Sequence, residues 1–297
     1  MKGNYVNVGW IGLGAMGLPM ASVLSRGGYE VSAFDVDAAK VAQVVEAGAL
    51  SVGLEQVGKK ADLLFVMVAT GSQLESVLFG PDGVAKFMAS GSVVIITATV
   101  GVEVAVSCAE RLGKLGIGLV DAPVSGGVAR AEAGDLLFMV SGSSSHKAKV
   151  LPLINQMARE VADFGEIPGD AQKAKLVNQL LCGVHIAVAG EALAFAESLG
   201  LDAGQCWSAL RGGAATSFMF EDRGRRMVEG QQAIVRSALG LFVKDLGLVT
   251  AEATAHSLGT PLASAALGLF KQGRDEGHER EDDSVVIEIS RKQLPIT

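Results

Sequence analysis

The sequence predicts an α/β protein in two parts, a doubly wound parallel sheet followed by an all-helical domain. Three observations carry that expectation. Short apolar runs bounded by turn residues alternate with helix-length stretches through the first half of the chain. A parallel return needs a crossover long enough to hold a helix, so the alternation reads as a parallel sheet covered on both faces. A glycine-rich loop, Gly12-Leu13-Gly14-Ala15-Met16-Gly17, joins the first run to the first stretch. From about Lys173 onward, long Ala/Leu-rich segments carry apolar residues at helical spacing and no convincing strand.

The strands are expected at Val6 to Ile11, Glu30 to Phe34, Asp62 to Val68, Ser92 to Ile96, Ile117 to Val120 and Leu136 to Ser141. Pro168, Gly169 and Asp170 read as a turn and then a helix start. They place the domain boundary near residue 165, with residues 1–165 forming the sheet domain and 166–297 the helical one. Helices are expected over Ala174 to Leu199, Ala203 to Leu210 and Ala233 to Leu258. Gly273 to Asp283, dense in charge and glycine, reads as a solvated loop before a last short segment at Ser284 to Ser290.

Composition narrows the function class. Of 297 residues, 49% are hydrophobic but only 5% aromatic, so the core is built from Ala, Val, Leu and Ile. A net charge of −7 without a basic block argues against nucleic acid or an anionic membrane as partner. Cys108, Cys182 and Cys206 are odd in number, far apart and without a C-x-x-C pair, which suggests reduced thiols in a reducing compartment. The first apolar stretch runs into the glycine loop instead of a cleavage site, so no signal peptide is expected. No run of about 20 uninterrupted apolar residues is present to span a bilayer. A cytoplasmic metabolic protein is expected. His146, His256 and His278 show no ligand spacing, and no metal is expected.

The glycine loop has the strand before it and the helix after it that dinucleotide binding requires. Gly12 would permit the tight turn, Gly14 would let the backbone approach a pyrophosphate, and Gly17 would let the helix pack on the strand. The N–H groups at that helix start would face the phosphates. The second strand ends at Asp35, eighteen residues beyond Gly17, where a carboxylate can accept the adenosine ribose hydroxyls and would repel a 2′-phosphate. A Rossmann domain binding NAD is the reading. Asp37, followed by Ala38, Ala39 and Lys40, reads as a helix cap.

Two further segments offer chemistry. At Asp121-Ala122-Pro123-Val124-Ser125-Gly126-Gly127 a strand ends in a Ser-Gly-Gly turn, which leaves a hydroxyl and bare backbone N–H groups at the carboxyl edge of the sheet. Such a concavity suits a carboxylate, and a plain flexible loop would have the same sequence. In Gly169 to Gln179, the residues Lys175, Asn178 and Gln179 stand at i, i+3 and i+4 and share one helix face. A lysine among Leu176, Val177, Leu180 and Leu181 could be desolvated, which would lower its pKa toward proton transfer. Taken alone, a helix lysine is most often a solvated charge. His185, ten positions on, is about 15 Å away along a helix and reads first as a core or subunit-interface histidine, with a catalytic role as the alternative.

These segments resemble the β-hydroxyacid dehydrogenases, the family of 3-hydroxyisobutyrate dehydrogenase and tartronate semialdehyde reductase, over nearly the whole chain. Four blocks match in order: Gly12 to Gly17 with Met16 and Pro19, Asp121 to Gly134, Gly169 to Gln179, and Lys244-Asp245-Leu246. The resemblance implies that Ser125, Gly126 and Gly127 hold a substrate carboxylate, Lys175 transfers the proton, Asn178 orients the substrate, and Lys244 lies by substrate and nicotinamide. The chain departs from the family's usual pattern at Ala171, at Gln179 and at Ala98-Thr99, where Thr99 still offers a hydroxyl on the nicotinamide side. Val68-Ala69-Thr70 replaces the family's Leu-Pro after the third strand. With Gln179 to Ala187, these features are similar to the L-threonate dehydrogenase branch, and the resemblance implies that the amides of Asn178 and Gln179 bind the extra hydroxyls of such a substrate. The implied activity is NAD-dependent oxidation of a small hydroxy acid by a homodimer or homotetramer, with the substrate between nicotinamide and helical domain. Two alternatives use the same parts: a semialdehyde or imine reductase, and a dinucleotide-binding module without turnover.

Overall fold

The structure is a computed structural model that describes residues 6–230 and 235–292. The chain divides into two compact units, residues 1–175 and 176–297. In the first, strands and helices alternate as β1 (Val8–Ile11), α1 (Gly17–Arg26), β2 (Val31–Phe34), α2 (Ala38–Glu46), β3 (Leu50–Ser51), α3 (Leu54–Lys60), β4 (Leu63–Val66), α4 (Gly71–Phe79), β5 (Val93–Ile96), α5 (Val102–Gly113) and β6 (Gly118–Asp121). The six strands form one sheet in the order β3-β2-β1-β4-β5-β6, and every pair is parallel. The chain winds outward from β1 in one direction and from β4 in the other, so the switch point lies between these two central strands. In open α/β sheets the crevice at the carboxyl ends of the strands beside such a point is where ligands bind.

Alternation along the strands explains the near-continuous apolar runs. Val8, Trp10, Leu63, Phe65, Val93 and Ile95 face one core, while Ile11, Leu64, Val66, Val94 and Ile96 face the other. A parallel sheet buried on both faces needs apolar residues at nearly every position, and the central strands β1, β4 and β5 carry no polar side chain.

Beyond β6 the chain forms β7 (Val124–Ser125), α6 (Gly127–Ala133), β8 (Leu136–Val140), α7 (Ser144–Met157) and β9 (Ala158–Asp163). The last three strands make a second sheet in which β8 pairs antiparallel with β7 and parallel with β9. The two-residue β3 and β7 and the charged β9 fall outside the expected strands. A strand of Ala158-Arg159-Glu160-Val161-Ala162-Asp163 has too few apolar residues to stand out by pattern.

Helix α8 (Asp170–Ser198) runs 29 residues from the end of the first unit into the second. The second unit continues through α9 (Ala203–Leu210), α10 (Phe218–Glu229), α11 (Leu239–Ala255), α12 (Pro261–Gly273) and α13 (Val286–Lys292). Helix α11 begins later than the expected Ala233, and residues 233 and 234 lie outside the described residues. Phe242 and Phe270 stack 5.3 Å apart where α11 meets α12. By length and composition α8 could cross a membrane, but half of its apolar window is buried within the protein, as in the core helix of a globular domain.

The segment expected to be a solvated loop, Gly273 to Asp283, is a correction. Residues Arg274–His278 continue α12 as a π-helical turn, and Asp282, Asp283 and Ser284 are fully buried. Arg223 donates through Nε and Nη2 to the two Asp283 oxygens at 3.2 and 3.1 Å. Arg226 reaches Asp282 at 2.5 Å and Asp222 at 2.7 Å. Burial opposes ionisation of Asp222, yet the two guanidiniums hold its carboxyl below the usual carboxylate range. Removing one partner of such a buried cluster typically costs about 3–5 kcal/mol, because an unpaired charge stays behind.

Candidate active site

The glycine loop is shaped by backbone crowding. Gly12 has φ +92°, and a Cβ there would lie 2.3 Å from the Met67 carbonyl oxygen just beyond β4. A Cβ on Gly17 would lie 2.0 Å from the Gly12 carbonyl oxygen. At Gly14 a Cβ would meet nothing within 4 Å, so that glycine faces open space where a pyrophosphate can approach the backbone. The Trp10 indole props the turn: it stacks on Phe65 at 5.0 Å and donates through Nε1 to the Gly12 carbonyl at 2.9 Å.

Asp35, at the end of β2, binds the same loop. Its Oδ2 accepts from the Leu13 N–H at 2.5 Å and its Oδ1 from the Asp37 N–H at 2.8 Å. A carboxylate offers about four lone-pair sites, which leaves capacity for ribose hydroxyls. Asp37 caps α2, accepting from the Ala39 N–H at 2.9 Å. After β4, the Ala69 N–H donates to Gln73 Oε1 at 2.9 Å and the Gln73 N–H to Thr70 Oγ1 at 3.1 Å, which holds the Val68-Ala69 turn. The loop, Asp35 and Val68-Ala69 thus collect at the carboxyl ends of β1, β2 and β4. These residues fit a dinucleotide.

Toward β6, a second constellation organises the start of α8. Asp121 is fully buried, and its Oδ2 accepts from the Gly169 N–H at 3.2 Å and the Gln172 N–H at 3.0 Å. Ser141 Oγ accepts from the Ala171 N–H at 3.1 Å. The first turn of a helix has N–H groups with no intrahelical acceptor, and a carboxylate there also meets the positive end of the helix dipole. Burial pushes the Asp121 carboxyl up to about 6, against the hydrogen bonds from Gln172 and Gly169 that favour its ionised form. Lys175 follows one turn later and is 6% exposed. A helix lysine this buried is uncommon, which removes the solvated-charge reading.

Ser125 closes the two-residue β7, and Gly126 and Gly127 follow with φ +144° and +77°. These positive angles turn the chain into α6 in a way that side-chain-bearing residues rarely adopt. In the second unit, Asn178 Nδ2 donates to Gln179 Oε1 at 2.8 Å, and Gln179 Nε2 donates to Asp245 Oδ2 at 2.5 Å. Lys244 Nζ lies 2.9 Å from Asp245 Oδ1. Asn178, Gln179, Asp245 and Lys244 therefore form one connected polar group on α8 and α11, with the Gln179 amide engaged at both ends. Trp10, Asp121, Gln172 and Asp245 escaped the sequence reading as site residues. Their roles are hydrogen bonds to backbone or to distant side chains, and no spacing signals those.

Residues 7–165 match the family described as the NAD binding domain of 6-phosphogluconate dehydrogenase. Residues 169–290 match the one described as NAD-binding of NADP-dependent 3-hydroxyisobutyrate dehydrogenase. L-threonate dehydrogenase of Escherichia coli K12 is 37% identical over 97% of this chain and 95% of that protein. The chain belongs to the β-hydroxyacid dehydrogenase family. It is accordingly an NAD-dependent oxidoreductase of small hydroxy acids, as the resemblance implied. Another relative, 2-hydroxy-3-oxopropionate reductase of the same organism, is 32% identical over 95% of this chain and 96% of that protein. The crystal structure of 3-hydroxyisobutyrate dehydrogenase from Salmonella typhimurium superposes with a TM-score of 0.90 at 36% identity, covering 96% of this chain and 99% of that one.

Proposed function

We propose that this dehydrogenase oxidises a four-carbon sugar acid of the L-threonate type, with Lys175 as the acid/base group. The observation that carries the proposal is the buried Lys175 one turn into a helix whose start is tied to the sheet edge. Bound NAD supplies the hydride acceptor. Lys175 Nζ takes the proton from the hydroxyl oxygen as the hydride leaves the carbon that bears it, so the alcohol loses both hydrogens and becomes a carbonyl. Ser125, Gly126 and Gly127 hold the carboxylate, Asn178 orients the hydroxyls, and Lys244 adds a cation for the substrate and nicotinamide. Gln179, bonded to Asn178 and Asp245, fixes the Asn178 amide for that task. Thr99, Val68 and Ala69 serve the nicotinamide half of the dinucleotide, and Leu13 to Met16 the pyrophosphate. The 37% identity to L-threonate dehydrogenase and the paired amides of Asn178 and Gln179 support a sugar acid, with 3-hydroxyisobutyrate as the competing substrate. kcat/KM for L-threonate is expected to exceed that for 3-hydroxyisobutyrate, and the reverse order rules out the sugar-acid branch.

NAD is expected to outperform NADP. The Asp35 carboxylate meets ribose hydroxyls but repels a 2′-phosphate, and the nearest following cation is Lys40. Asp35→Ser narrows the ratio of the two kcat/KM values; equal use of NADP by the unaltered enzyme contradicts the role given to Asp35.

The same reading includes a cytoplasmic homodimer or homotetramer. Val177, Leu181, Val188 and Phe195 along α8, and Leu199 in the turn that follows it, stand 50% or more exposed at spacings of four and seven. A stripe of that length on a helix is what a second copy of the chain covers. Sedimentation in solution tests it, and a monomer would contradict it.

A further inference from the structure

Gln172 is fully buried and makes hydrogen bonds in three directions. Its Nε2 donates to Asp121 Oδ1 at 2.7 Å and to the Ala98 carbonyl at 3.0 Å. Its Oε1 accepts from the Val100 N–H at 3.0 Å and the Gly101 N–H at 3.3 Å. Its own N–H donates to Asp121 Oδ2 at 3.0 Å. Ala98 and Val100 flank Thr99, so one side chain grips the β5 turn on both sides of that residue. Gln172 also stands three positions before Lys175 on α8, on the same helix face. All of these groups belong to the first unit.

We propose that Gln172 is a positioning residue that locks the turn carrying Thr99 and the helical turn carrying Lys175 into one frame. The inference rests on the acid/base role given to Lys175. Hydride and proton leave adjacent atoms of the substrate alcohol, so the group beside the nicotinamide and the group that takes the proton have to keep a fixed separation. A flexible link between β5 and α8 would let the two drift apart, and a displacement of about 1 Å can cost on the order of 10²-fold in rate. Gln172 removes that freedom with a planar amide whose donor and acceptor ends are both used. Asp121 completes the frame, because it holds both the Gln172 amide and the N–H groups of the helix start.

The test is a double-mutant cycle on the full chain with Gln172→Met, Lys175→Ala and the pair. Methionine keeps the length and apolar stem of glutamine but forms none of the four side-chain hydrogen bonds. Gln172→Met is expected to lower kcat about tenfold to a hundredfold, to leave the KM for the hydroxy acid and the dissociation constant of NADH within about threefold, and to raise the primary deuterium isotope effect. A purely structural role would lower the melting temperature and the fraction of NADH-binding protein while leaving kcat per binding site and the isotope effect unchanged. In the Lys175→Ala background, Gln172→Met is expected to cost less than about threefold, because the group it positions is gone. Losses that multiply in the pair, or a Gln172→Met enzyme with unaltered kcat per site, overturn the inference. A Lys175→Ala enzyme that keeps its turnover overturns the acid/base reading instead, and the inference falls with it. If Lys175→Ala is inactive and Gln172→Met is not, the inference alone fails.

Discussion

Lys175→Ala is expected to lower kcat by about 10²- to 10⁴-fold, the usual contribution of positioned proton transfer, while NADH still binds. The separation of the two effects follows from placement. The glycine loop and Asp35 gather at the ends of β1 and β2, whereas Lys175 stands on α8, which the chain reaches only after the second sheet. Fluorescence titration with NADH and steady-state turnover measure the two quantities independently. Lys175→Arg should recover little, because a guanidinium stays protonated and cannot act as the base. Recovery by arginine would mean that the lysine binds the substrate by charge. Retention of more than about a tenth of the turnover by Lys175→Ala would move the proton transfer to another group, with Lys244 or a water first in line.

Substitutions in the glycine loop are expected to separate fold from ligand. Gly17→Ala places a Cβ 2.0 Å from a backbone carbonyl that cannot rotate away, since Gly12 is itself wedged against Met67. Overpacking of this kind costs about 1–3 kcal/mol, so both the melting temperature and NADH affinity should fall. Gly14→Ala meets no atom of the protein. It should leave the melting temperature unchanged, yet weaken NADH by about tenfold or more, because its methyl occupies the space where the pyrophosphate approaches. Unchanged NADH binding by Gly14→Ala would show that the phosphates do not lie over this loop.

The central strands β1, β4 and β5 were legible because they are apolar almost throughout and each crossover has to be helix-length, whereas the two-residue, exposed β3 left no such pattern. The glycine loop was legible for a related reason: close backbone approach admits one residue type, and Gly12 and Gly17 sit where any side chain collides. The helical unit was legible in class but not in detail. Asp282 and Asp283 look like surface charges until Arg223 and Arg226, more than fifty residues earlier, are folded against them. Lys175 was ambiguous on its own, since burial is a property of the assembled core. Gln172 gave no signal at all, because its partners at Ala98, Val100, Gly101 and Asp121 are some fifty to seventy residues away.

The most direct test of the central claim is NADH formation, followed by absorbance, when NAD is offered with L-threonate, D-erythronate, D-glycerate, 3-hydroxyisobutyrate and L-serine in turn, with tartronate semialdehyde plus NADH as the reverse arm. The expected result is steady turnover dominated by one sugar acid, L-threonate first, and abolished by Lys175→Ala. An enzyme that binds NADH but reduces no NAD with any of these acids would contradict the account and leave a dinucleotide-binding module, or a reductase if the reverse arm alone turns over.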